Sequence, residues 1–270
     1  MGATRTAWHV LLAALLGERA PRRFEIRTEV HLSTEPLRAD YLLLRAITEV
    51  DSAGQILRKL WGLLTKDTLL EFKSIGRPYR SRNLNRLWAY LHLYYAEETK
   101  RLERSSDLSG ALLVPSRTRT LDDDVKTIGL EWRDLGDGYA ELAGGPFALY
   151  VAEIDRVAEA EDDDLLRLFG HTGIHTREAQ RWLGDQVESK GFAMEMHELE
   201  GYDEVLQKLI AALPAEQRLA GLAPEQRLAG LAPEQALLAL PDEMLRRFPD
   251  TFLDTLSSPV RSVIRTRIGR

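Results

Sequence analysis

Residues 68–74 read TLLEFKS, an apolar run of strand type that carries one glutamate and one lysine two positions apart. Successive side chains of a strand point to opposite faces, so Glu71 and Lys73 share one face while Leu70 and Phe72 share the other. A strand this apolar belongs inside a sheet, and a charge placed there needs a partner. Side chains two apart on a strand are not expected to meet closely, so each of the two charges is expected to find its partner on another element.

Upstream, residues 24–32 (FEIRTEVHL) alternate strictly between Phe24, Ile26, Thr28, Val30, Leu32 and the polar Glu25, Arg27, Glu29, His31. This is a period-2 strand with one polar face. Ser33-Thr34-Glu35-Pro36 reads as a turn. Residues 37–45 (LRADYLLLR) are nearly continuous apolar sequence around Asp40, a more central strand antiparallel to the first. Residues 55–64 are a short helical or loop excursion. Earlier still, Trp8, Leu11, Leu12 and Leu15 fall on one stripe of a helix. That spacing, one preceding Arg and the lack of an A-x-A-like site favour a folded first helix over a signal-peptide core.

Downstream, Leu84, Leu87, Trp88, Leu91 and Tyr95 predict a helix over 83–97. Short strands follow at 111–114 and 147–154, and Asp137-Gly138 sits between two alternating runs at 130–142, a hairpin signal. The order β-β-β-α-β-β-β after an opening helix predicts an α/β domain with a mixed sheet over residues 1–157. An acidic helical region, 158–270, is expected to follow. Its run EAEDDD (159–164) reads as a linker feeding a helix N-terminus, where acids suit the dipole. Residues 202–213 have helical spacing. A nine-residue repeat covers 215–241, with Pro where a short helix starts and Gly where one stops, and it offers a surface for self-association. The Arg-bearing tail 261–270 reads as a solvated basic terminus.

The chain has no cysteine, which excludes disulfides and thiolate metal sites and makes a reducing compartment, the cytoplasm, the simplest setting. Its longest apolar run, 7–17, is too short to span a bilayer, so no membrane partner is expected. The net charge of −6 is uneven: residues 1–104 carry 18 Lys and Arg against 12 Asp and Glu, and the rest is strongly acidic. A basic front half suits a polyanion. His171 and His175 in GHTGIH have i, i+4 spacing, but Gly170 and Gly173 oppose a helix, so zinc is not indicated. No G-x-S-x-G, P-loop or G-x-G-x-x-G is present, which removes the simplest hydrolase triads and nucleotide cofactors.

Asp40, on the neighbouring strand, is the obvious partner for Glu71 and Lys73. Two carboxylates brought together repel unless a cation or proton lies between them. With oxygen ligands and no thiolate, that cation is Mg²⁺ or Mn²⁺. A lysine beside it can orient or deprotonate a water, which is the equipment for phosphodiester hydrolysis.

Asp40 at the end of an R-A-D segment, then Glu71-Phe72-Lys73 on a strand, then a helix, resembles the PD-(D/E)XK nuclease superfamily over roughly residues 8–115. Ala39 stands where that motif has its proline. More loosely, the whole chain is similar to bacterial proteins of unassigned role and to transposase-like, recombination-promoting nucleases. The resemblance implies a restriction-endonuclease-like mixed sheet flanked by helices and a Mg- or Mn-dependent endonuclease acting on DNA. It implies Asp40 and Glu71 as metal ligands with the Phe72 backbone carbonyl as a third, and Lys73 positioning the water. It also implies a further acid, Glu18 at the end of the first helix or Glu29 on the first strand, and a polar contribution from the helix after the motif, where Arg86 and Tyr90 are i, i+4. Arg77, Arg80 and Arg82 in GRPYRSRN form a candidate phosphate-contacting loop. The competing expectation is a nuclease-like fold that keeps these residues but only binds nucleic acid or protein.

Overall fold

A computed structural model describes residues 6–31, 38–45, 56–188, 199–212, 237–238 and 242–269. The turn expected at 33–36 lies outside the described residues, as do the nine-residue repeats apart from Leu237 and Leu238. The chain divides into two compact units, Met1–Leu213 and Pro214–Arg270.

The first unit is a mixed α/β sandwich built on a seven-stranded sheet. It opens with α1 (Ala7–Arg19), which buries Trp8, Leu11, Leu12 and Leu15 as their spacing predicts. Thr6 precedes it in extended backbone, and its N–H and hydroxyl meet His9 Nδ1 at 3.3 and 2.7 Å. This is a capping box with histidine where glutamate or glutamine is usual. Next come β1 (Phe24–His31), β2 (Arg38–Arg45), the single turn α2 (Leu60–Leu63), β3 (Asp67–Phe72), α3 (Asn83–Glu97) and β4 (Leu108–Val114). Then follow α4 (Arg119–Ile128), β5 (Glu131–Gly136), β6 (Tyr139–Ala143), β7 (Ala148–Glu153), α5 (Ile154–Ala160), α6 (Asp164–Arg167), α7 (Arg177–Glu188) and α8 (Tyr202–Ala212).

The strand order is β1-β2-β3-β4-β7-β6-β5. β3 runs parallel to β4 and β4 to β7; every other pairing is antiparallel. Every residue of β3 and β4 is buried, which is why their sequences read as continuous apolar runs. Leu70, Phe72, Tyr41, Leu43 and Leu113 face one core with α1, α2 and α5 to α8. Leu69, Leu42, Leu112 and Val151 face the other, with α3 and α4.

Two departures from the sequence expectation have simple causes. α4 is not among the predicted elements, although Leu121, Val125 and Ile128 in RTLDDDVKTI fall at i, i+4, i+7, because the aspartate run 122–124 between them reads as a polar loop. Leu121, Val125 and Asp124 are buried, and Ile128 packs half-buried against the same core. The compact unit also runs past 157, to 213, because Phe169, Trp182 and Val205 pack into the α1 core. Asp163, in the acidic run, caps α6 by accepting from Leu166 N at 3.0 Å.

The second unit holds short helices at Asp242–Leu245 and Asp250–Leu253 and a longer one at Ser258–Ile268, around Leu245, Leu253, Ile264 and Ile268. Its arginines pair locally: Arg261 and Arg265 with Asp254, and Arg267 with Asp242. Among the described residues no helix is long and apolar enough to cross a membrane.

Candidate active site

The antiparallel register of β2 on β3 pairs Tyr41 with Leu70 and Leu42 with Leu69. Carried one step further, it sets Asp40 opposite Glu71, where directly opposed residues share a face. The carboxylate of Asp40 turns toward the end of β3, and its Oδ2 accepts from Phe72 N at 2.9 Å. On the other side it meets His9 Nε2 at 3.4 Å. Because His9 Nδ1 accepts from the Thr6 N–H, the ring proton is on Nε2 and points at Asp40. Tyr41 Oη donates to the His9 carbonyl at 2.7 Å and ties β2 to the same turn of α1.

Glu71 and Lys73 do meet, against the expectation for positions i and i+2. Lys73 Nζ donates to Glu71 Oε1. The strand ends at Phe72, and the four-carbon stem of Lys73 folds back over its end. The four side chains are nearly dry: 5% of Glu71, 7% of Asp40, 10% of Lys73 and 11% of His9 is exposed. Burial, and next the charge of Asp40, push the Glu71 carboxyl up to about 7. For Asp40, burial raises its pKa, but the hydrogen bond from His9, the charge of Lys73 and the Phe72 N–H outweigh it. The net direction is down. The two carboxyls are therefore pushed apart, one toward the ionised form and one toward the protonated form, as expected for interacting acids in a low-dielectric site. Glu71 Oε2 is buried and has no hydrogen-bond partner among the described residues.

α3 closes the site from the other core. Tyr90 is buried, and its phenol is pushed up to about 12 by burial first and then by the negative charges of Glu71 and Asp40. Arg86, exposed on the same helix, acts on it in the opposite sense. Of the i, i+4 pair expected on α3, Tyr90 thus lies within electrostatic reach of both carboxylates, and Arg86 reaches Tyr90.

The other expected residues lie elsewhere. Glu18 accepts from Trp182 Nε1 at 2.8 Å and from Gln186 Nε2 at 3.3 Å, a link between α1 and α7. It is nine residues from His9, roughly 13 Å along the helix. The position on α1 that reaches the site is His9 instead. It is the single polar residue in 7–16, and that isolation on an apolar helix is its one sequence signal. On β1 the pairs Thr28–Tyr41 and Val30–Ala39 bracket Glu29, whose side chain lies outside the described residues. Arg77 is held by the Glu200 carboxylate. Arg80 and Arg82 are exposed. Their loop hangs on a residue that no sequence motif marks: Asp124 of α4 accepts from Tyr79 Oη at 2.6 Å and from Arg82 N at 2.7 Å. Arg82 has a left-handed backbone, φ +68°, which that bond holds in place. His171 and His175 lie in a loop between α6 and α7.

Among the described residues, no three His, Asp or Glu side chains are grouped as a ready-made metal cage. An ion here would be held by Asp40 and Glu71 together with backbone carbonyl or water oxygens, a donor set that suits Mg²⁺. The orphaned Glu71 oxygen and the mutual repulsion of the two carboxyls are both features that a cation would relieve. The chain matches no protein-family model, no curated protein and no solved structure.

Proposed function

We propose that the protein is a divalent-metal-dependent nuclease of PD-(D/E)XK type, cutting phosphodiester bonds in DNA. The observation that carries this reading is the convergence of Asp40, Glu71 and Lys73 in one buried cluster at the end of β3, with the Glu71 carboxyl pushed up by burial and by Asp40 and one of its oxygens unpartnered among the described residues. The restriction-endonuclease-like fold belongs to the same proposal. It is supported by a helix, an antiparallel β1-β2-β3 meander, a second helix and a parallel β4.

Each side chain then has a task. Asp40 and Glu71 hold the ion, and the His9 Nε2–H and the Phe72 N–H fix the rotamer of Asp40. A bound Mg²⁺ or Mn²⁺ supplies Lewis acidity at the phosphoryl oxygen and lowers the pKa of a bound water. Lys73 Nζ, anchored on Glu71, orients the attacking water and holds positive charge beside the developing negative charge. Arg80, Arg82 and Arg86, exposed around the same end of the domain, receive the phosphate backbone.

Supercoiled plasmid should be nicked in the presence of Mg²⁺ or Mn²⁺ and stay intact in EDTA. Folded protein that neither cuts nor binds any DNA or RNA overturns the proposal. Binding without cutting selects the non-catalytic alternative.

Two further outcomes test the parts. Glu71 titrates at about 7 in the folded protein against an ordinary 4.5. Between these values the native state keeps a proton that the unfolded chain has lost. The contribution of Glu71 to stability therefore falls as pH rises through that window, in the absence of metal. Cation binding needs the ionised form, so Mn²⁺ affinity should rise with pH up to about 7 and then level off. In Glu71→Gln it should be weak and show no rise there; calorimetric Mn²⁺ titrations across the pH series measure both. Separately, Arg80→Ala combined with Arg82→Ala should weaken DNA binding on all sequences alike. It should also flatten the dependence of log affinity on log salt, by about one for each phosphate the arginines no longer neutralise.

A further inference from the structure

Beside Ser74, the residue that follows Lys73, lies an open pocket walled by Ile75 and Pro115 and lined by Ser74, Ser116, Thr118 and His171. It sits past the C-terminal ends of β3 and β4, the end of a parallel sheet where ligands of α/β proteins collect. No carboxylate, lysine or arginine lines it.

The histidine in this pocket is exposed over 56% of its side chain and is nevertheless held firmly. Asp155 accepts the His171 backbone N–H at 2.7 Å through Oδ1 and meets ring Nδ1 at 2.6 Å through Oδ2. Since the carboxylate only accepts, Nδ1 carries a proton and Nε2 is the ring atom left for a ligand. Gly170 lets Asp155 come this close: a Cβ there would stand 2.1 Å from Asp155 Oδ1. Lys208 Nζ anchors the turn by donating to the carbonyls of Leu168, at 2.7 Å, and Gly170. At the far end of the loop, Asp164 Oδ2 accepts from His175 N at 2.8 Å and Thr176 N at 2.6 Å. A loop fixed at both ends presents an imidazole that makes no hydrogen bond through Nε2 among the described residues.

The other polar groups of the pocket are hydroxyls with protons to give. Ser74 Oγ accepts from Arg77 N, and Thr118 Oγ1 accepts from Leu121 N, so each O–H remains free to donate. Ser116 has no hydrogen bond to another described residue. The phenol of Tyr79, which also borders the pocket, is committed to Asp124. Three hydroxyls around one concavity, with no anion among them, form a donor set for an oxyanion, and the His171 ring adds a fourth donor at Nε2 in its imidazolium form.

We propose that this pocket binds a phosphate group of the nucleic-acid strand, next to the one cut at Lys73, with His171 as a substrate-positioning residue steadied by Asp155. The proposal rests on the nuclease reading for the identity of the strand. Its test does not depend on cleavage. Full-length protein carrying ¹³C-labelled histidine is titrated without divalent ion, first with inorganic phosphate and then with a 5′-phosphorylated trinucleotide. The His171 ring signals, assigned by their loss in His171→Gln, should shift saturably with both. Ser116→Ala should bind phosphate about tenfold more weakly, the loss of one hydrogen bond to a charged group. His171 signals that do not move, or that move identically in Ser116→Ala, overturn the proposal. If the protein proves unable to cut DNA while the His171 shift and its Ser116 dependence stand, the nuclease reading falls and the phosphate site remains. If it cuts, His171→Gln should raise KM and leave kcat nearly unchanged; a fall in kcat at constant KM also overturns the positioning role.

Discussion

Lys73→Met lowers Mg²⁺-supported plasmid cleavage by about 10²–10⁴-fold, the range for removing a positioned proton-transfer or charge-stabilising group. Methionine keeps the length and apolar character of the stem while removing the ammonium that donates to Glu71. Loss of the ammonium also removes an influence that holds the Glu71 pKa down, against burial and Asp40, which hold it up. Glu71 in the variant should therefore titrate above its present value of about 7. Two readouts separate the causes. Far-UV circular dichroism and the unfolding midpoint establish that the variant is folded. The pH dependence of residual cleavage should move to higher pH. Wild-type rates in a folded Lys73→Met protein would remove Lys73 from the chemistry and leave only its pairing with Glu71.

Asp67→Ala destabilises the fold by about 3–5 kcal/mol, read as a lower urea midpoint at unchanged slope. Asp67 opens β3 and is fully buried. Its Oδ1 accepts from Arg101 Nε at 2.5 Å and its Oδ2 from Tyr94 Oη at 2.9 Å. Alanine would leave a phenol and a guanidinium without their acceptor against a dry sheet. Arg101 keeps 31% of its side chain in solvent, which places the expected loss nearer the lower figure. A change below about 1 kcal/mol would show that both donors are rehydrated once the carboxylate is gone. The pair lies at the opposite end of β3 from Glu71, so Asp67→Ala should act on stability and leave the metal site's pH response in place.

The elements around the site are legible in the sequence because their patterns are local. Alternation gives β1, the i, i+3, i+4 stripe gives α1 and α3, and Asp137-Gly138 gives the β5–β6 turn, where Asp137 and Gly138 have φ of +57° and +84°. α4 is harder to read, because a run of three aspartates separates its apolar residues Leu121, Val125 and Ile128 and resembles a solvated loop. Nor does spacing along a strand say how a flexible side chain folds at the strand's end, which is why it does not foretell the pairing of Lys73 with Glu71. His9 escapes for a related reason. A lone polar residue on an apolar helix has no partner within its own sequence neighbourhood that would mark it.

By itself, the sequence determined a buried strand with two charges on one face, an acid on the adjacent strand, and a sheet built from hairpin and helix signals, because each of these follows from side-chain period and backbone preference. Only the tertiary structure decided which side chains share a dielectric environment. It placed His9 on Asp40, left one oxygen of Glu71 without a partner among the described residues, sent Glu18 to Trp182, hung the basic loop on Asp124, and fixed His171 beside Ser74. Proximity across strands and helices sets the desolvation and charge–charge interactions that move a pKa, and no one-dimensional spacing encodes it.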